Sequence, residues 1–315
     1  MTEIIRSLAI NGNFCPSAVN VLGEIPKEAL FNIPQGLRHP DAIYRLSLEK
    51  LKDAFCKVAD GYLEKMEEYR SDASKKLELG QLIKDQHDFL HILQEHLDEM
   101  WLILKTLIDP ASAKNGPIFA DRYVLENKLP GARSFQSAIA DYKKTLRIAN
   151  KLKHQQTYLR GVAIWQPNSV HLGYYLEEPG LDGVIGPSLE IHPDQGAFSF
   201  ARDLKIHLLN VYLCSEKLVN AIKKALDSRG MPLRENNSSG VRDWEKVVLR
   251  ASKIPAAYFP KEAKKSTASF EINDEEQVLT IKCPEHVQVT FVSPIKAAFS
   301  TVGDGYSRSF KVPLP

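Results

Sequence analysis

The sequence predicts a mainly helical α+β protein: a four-helix-type bundle with a small β insertion and a C-terminal β-rich module. Three observations predict it. Long stretches between 41 and 228 repeat their apolar residues at three- and four-residue steps, the texture of a helix with one buried stripe. Between about 159 and 192 the chain changes to short apolar runs separated by Pro and Gly, and after 268 apolar and polar residues alternate like strands. The 315 residues divide accordingly into an irregular N-terminal segment (1–40), a bundle carrying the insertion (41–233), and a short helix plus small β module (241–315).

Pro16, Pro26, Pro34 and Pro40 interrupt every pattern in the first segment. From Asp41, a favourable helix start, Tyr44, Leu48, Leu51, Phe55, Val58, Tyr62 and Tyr69 form one seam on a helix over 41–72. A second helix over 76–108 carries Leu79, Ile83, Leu90, Leu93, Leu97, Met100, Leu104 and Leu107, and the short link makes the two an antiparallel hairpin. Ser134 is placed to cap a third helix reaching His154, with Phe135, Ile139, Tyr142, Leu146 and Ala149 inward. After the insertion, 198–228 forms the fourth helix and ends at Gly230. RENNSSG over 234–240 reads as a linker, DWEKVVLRASK as a shorter helix, and ASFEIN, QVLTIKC and VQVTFV as strands.

Composition narrows the function classes. A hydrophobic fraction of 43% excludes a disordered chain. Lys plus Arg (41) nearly balance Asp plus Glu (39), so any basic site is local. Cys15, Cys56, Cys214 and Cys283 are far apart and read as buried thiols of a reducing compartment. The N-terminus lacks the basic start and apolar run of a secretory signal, and no stretch approaches the about 18 apolar residues of a membrane span. The expectation is a cytoplasmic protein without a membrane partner. GxxxxGK[ST], GxGxxG and GxSxG do not occur, so no nucleotide cofactor or hydrolase elbow is expected, and no metal is assigned.

The most informative segment is LRIANKLKH. On a helix, Arg147, Asn150 and His154 project from one side, bringing a cation, an amide and an imidazole to a common site. An imidazole near its pKa and a guanidinium that holds phosphate are the minimum for cleaving a phosphodiester without a metal. Lys143, Lys144, Lys151 and Lys153 surround the trio and would attract a nucleic-acid backbone. The bland alternative is a solvated helix face with a histidine near its C-terminus.

With Arg147 and His154 on one bundle helix, six residues between them, the chain resembles the HEPN family, helical bundles of prokaryotic defence and toxin systems, over about 41–228. The resemblance implies a homodimer whose Arg and His pairs meet in a cleft and cut RNA without metal. His154 would then be the general acid or base, Arg147 would stabilise the phosphorane, and Asn150 or Lys151 would position phosphate. A different class of function stays open: a non-enzymatic interaction or nucleic-acid-binding subunit of a defence complex, in which the helices and β tail are partner surfaces.

Weaker constellations remain. His87 and His91 stand one turn apart with Glu95 a turn further on, a spacing able to chelate zinc but equally that of any solvated face opposite a leucine stripe. His171, His192 and Tyr174 or Tyr175 belong to the insertion, which follows the Arg147 and His154 helix directly and could place them at the border of that site, but they read first as sheet-face residues. His207, between Ile206 and Leu208, reads as a satisfied core histidine.

Overall fold

In a computed structural model the described residues are 6–11, 14–114, 119–153, 157–180, 183–193, 196–234, 240–262, 265, 267–273, 275–285 and 295–300. A strand β1 (Arg6–Asn11) and a short helix α1 (Ala18–Val21) precede the first long helix, α2 (Pro40–Ser71). Pro40 occupies the first turn of α2, where its missing N–H costs nothing, and the His39 ring accepts the Asp41 N–H at 3.2 Å. The second long helix is α3 (Gly80–Lys105). Its stripe meets that of α2 in opposite chain order, with Phe55 against Phe89 (5.8 Å between ring centroids) and Ser47 bonded to His96 (2.6 Å). This is the antiparallel hairpin that the two seams predict.

A short helix α4 (Ala120–Glu126) leads to α5 (Ala132–Thr145). The residue before α5 is Gly131 at φ +89°, where a Cβ would lie 2.8 Å from the backbone of Ala221. Glycine alone fits there, and the N-cap of α5 is Gly131 rather than Ser134. The spacing predicts one helix to His154, but the helix breaks at Leu146 and resumes as α6 (Arg147–Lys151). On an unbroken helix Ile148 would fall off the stripe of Phe135, Ile139, Tyr142 and Leu146. The break buries Ile148 and Ala149 beside them. The Thr157 hydroxyl then donates to the Lys151 carbonyl (2.5 Å), satisfying the last turn of α6.

The insertion is a hairpin of β2 (Tyr158–Gln166) and β3 (Ser169–Pro179), extended by β4 (Ile185–Pro187) and β5 (Phe198–Ser199). Gly173 is required on β3, because a Cβ there would meet the Phe198 carbonyl and the Phe259 ring at under 2.5 Å. The fourth long helix, α7 (Phe200–Asp227), is capped by Ser199 and lies antiparallel to α5, since Tyr142 meets His207 while Gly131 meets Ala221.

Chain-terminal segments join these layers. Helix α8 (Glu245–Lys253) rests on α2 through Arg250 and Asp60 (2.8 Å). Strands β6 (Thr267–Asn273) and β7 (Val278–Glu285) form a sheet with β1, in the order β1-β7-β6. The N-terminal segment, read as irregular from its prolines, thus contains an edge strand, which a lone six-residue run cannot announce without its partner. Strand β8 (Lys296–Phe299) pairs with β2, giving β4-β3-β2-β8. Buried Trp244 donates to Tyr212 (3.0 Å), which donates to the Phe14 carbonyl (2.6 Å), and one buried cluster spans Phe14 to Ile281. VQVTFV and most of the 234–240 linker lie outside the described residues. Among the described residues no helix is long and apolar enough to cross a membrane.

Candidate functional site

The chain between α5 and β2 runs along the flank of α3, and the sequence-derived site residues divide there into two groups. One group is consumed by ion pairs. Lys143 reaches Asp121 on α4 (3.2 Å) and Lys144 reaches Asp141 (3.1 Å). Arg147 lies 3.6 Å from Glu190, while Lys151 holds both Glu178 (2.8 Å) and Glu190 (3.1 Å). Burial works against the Lys151 charge, but its hydrogen bonds to the two carboxylates outweigh that and raise its pKa. Asn150 is exposed on α6. His154 lies outside the described residues, and α6 ends at Lys151.

The second group lines a groove of about 660 Å³ between the N-terminal half of α3, the residues after α6 and the start of β2. Its apolar floor is Ile83, Leu152 and Leu159. Lys84 and Lys153 stand on its walls, both exposed and neither in an ion pair among the described residues. Tyr158, 52% exposed, borders it, with the Arg160 guanidinium 5.1 Å from the ring centroid. Arg160 is itself held by buried Glu177 (2.9 Å), so it steadies the ring and adds little net charge.

His87 also lines the groove, and His91 stacks edge to face on it with 4.5 Å between centroids. Burial, then the charges of His87 and Lys153, hold His91 below the ordinary histidine pKa; Asp88 and Glu95 pull the other way. Glu95 turns instead towards Lys50 (3.5 Å), and no cluster of three His, Cys, Asp or Glu among the described residues is arranged to hold a metal. Lys84, Tyr158 and Arg160 escape sequence reasoning. For Tyr158 and Arg160 the signal is basic and aromatic residues interleaved either side of LKH, which gains meaning once α3, carrying Lys84, is brought alongside.

The remaining histidines are structural. His192 accepts the Leu176 N–H at Nε2 (2.9 Å) and bonds the Gly196 carbonyl through Nδ1 (2.9 Å), in a loop rather than on the sheet face. His171 is buried on β3 beside Ser169 (3.1 Å), and Tyr174 and Tyr175 are buried on the same strand. His207 sits in a buried network: its Nε2 faces Asp203 (3.3 Å) and its Nδ1 faces the Tyr142 hydroxyl (3.2 Å). Asp203 also accepts from Tyr174 (2.7 Å) and Gln86 (2.9 Å). Burial pushes the Asp203 pKa up, yet the charge and hydrogen bond of His207, the Tyr174 hydroxyl and the Arg202 charge outweigh it and leave it low. The network ties α3, α5, β3 and α7 together around the core.

No protein-family model, curated protein or solved structure matches the chain.

Proposed function

We propose that this chain binds single-stranded RNA in the groove between α3, the end of α6 and the start of β2. The observation that carries the reading is the pair of exposed ammonium groups, Lys84 and Lys153, in no ion pair among the described residues, around the exposed ring of Tyr158. A single strand offers a phosphate and an unstacked base face together, so cations plus one aromatic platform match it. A duplex hides the base faces and leaves Tyr158 without a role.

Cleavage is the further step of the same reading. His154 follows Lys153 directly in the chain, and the HEPN resemblance makes it the acid or base acting with Arg147. The Arg147–Glu190 pair is about half exposed on both sides, a type worth little, so an RNA phosphate can displace the carboxylate. In this reading α2, α3, α5 and α7 are the bundle, and two copies of the chain associate to complete a cleft.

The test is binding of a fluorescent oligouridylate at low salt, followed by incubation with single-stranded RNA and tRNA in EDTA. Wild type should bind and cut, and His154→Ala should bind without cutting. Binding without cleavage by wild type removes the enzyme and leaves the RNA-binding reading. No binding at low salt removes both.

A further inference from the structure

The lysines do not account for His87, which lines the α3 wall of the groove beside Lys84 and Lys153, nor for His91, whose ring packs edge to face against it. Neutral imidazoles in such a place contribute hydrogen bonds; protonated ones add charge where Lys84 and Lys153 already concentrate it. We propose that the His87 and His91 pair is a proton-operated part of the phosphate site, so that the grip on RNA tightens as the rings take up protons. The proposal rests on the RNA reading of the same groove.

The surroundings set the direction. On α3 the pair faces Lys84, Asp88 and Glu95, with Asp98 further along. From the segment after α6 it faces Lys153, and across the groove stand Tyr158 and Arg160, the latter neutralised by Glu177. Glu95 is shared with Lys50 of α2. In the free protein, burial and the neighbouring cations keep His91 neutral at the pH where an isolated histidine begins to charge. A phosphate in the groove opposes those cations and favours the imidazolium, so the complex binds more protons than the free chain. By linkage, affinity then rises as pH falls. Phosphodiesters and uracil do not titrate in this range, so the proton is taken by the protein.

The experiment is the affinity for an oligouridylate lacking terminal phosphates, measured from about pH 7.5 to about pH 5.5, where histidine changes charge. Wild type should tighten about three- to tenfold, and His87→Gln/His91→Gln should lose most of that gain, read as the ratio of the variant's own affinities at the two ends of the pH range. Wild type and the double variant share every other histidine, so the difference between them carries the test. In parallel, the imidazole resonances of wild type should show the His91 pKa rising when the oligonucleotide is added. A double variant that keeps the full pH gain, or a His91 pKa unmoved by the oligonucleotide, overturns the proposal and leaves the RNA reading standing. Absence of oligouridylate binding by wild type at every pH overturns the RNA reading, and this proposal with it.

Discussion

Lys151 and Lys153 stand two residues apart, yet Lys151 lies between Glu178 and Glu190 while Lys153 lines the groove and is in no ion pair among the described residues. The end of α6 thus separates a neutralised latch, formed by Arg147, Lys151 and their two glutamates, from a charged groove shared with Lys84 and Tyr158. A run of basic residues in a sequence is therefore not a positive surface. What decides is whether the rest of the fold supplies carboxylates, and here both come from the sheet side: Glu178 on β3 and Glu190 on the turn after β4.

The comparison breaks most visibly if the groove charges are inverted. Lys84→Glu/Lys153→Glu should weaken oligouridylate binding by about 100-fold at low salt, because each reversal both removes and opposes a phosphate contact. Fluorescence anisotropy measures it, and an unchanged affinity would place the binding elsewhere. Tyr158→Ala should weaken binding about tenfold, in line with the usual worth of one base stacked on an aromatic ring. Arg160 would then lose the ring beneath it but keep Glu177.

The latch should answer to stability, and through Arg147 to cleavage, more than to RNA affinity. Lys151→Ala removes a partly buried cation from two carboxylates and should lower thermal stability by about 1 kcal/mol, with RNA affinity changed less than about twofold. Smallest of all, Glu190→Gln frees Arg147 and one contact of Lys151, and should tighten RNA binding by about twofold at low salt and not at high salt. A large effect from either latch substitution would merge the two regions into one site.

How much of this is legible in the sequence follows from what each feature depends on. The stripes of α2, α3 and α7 are local periodicities, and the predicted 41–72, 76–108 and 198–228 lie within a few residues of Pro40–Ser71, Gly80–Lys105 and Phe200–Asp227. The alternation behind β2, β3, β6 and β7 is local as well. The break at Leu146 is not, because it arises from burying Ile148 against other elements, and neither is the start of α5, set by the approach of Ala221 to Gly131. The pairing of β1 with β7 and of β8 with β2 joins residues far apart in the chain. The site shows the same division. Arg147, Lys151, Lys153, His87 and His91 stand out by residue type and spacing. Their sorting into latch and groove depends on Glu178, Glu190 and Tyr158, whose positions only the folded chain defines.

Photo-crosslinking with a thiouridine-substituted oligonucleotide, followed by peptide mapping, tests the division between the two regions most directly. Crosslinks should concentrate on the groove, at Tyr158 and in the α3 peptide carrying Lys84 and His87. Crosslinks confined to the peptides of Arg147, Lys151 and Glu190, with the groove unlabelled, would contradict it.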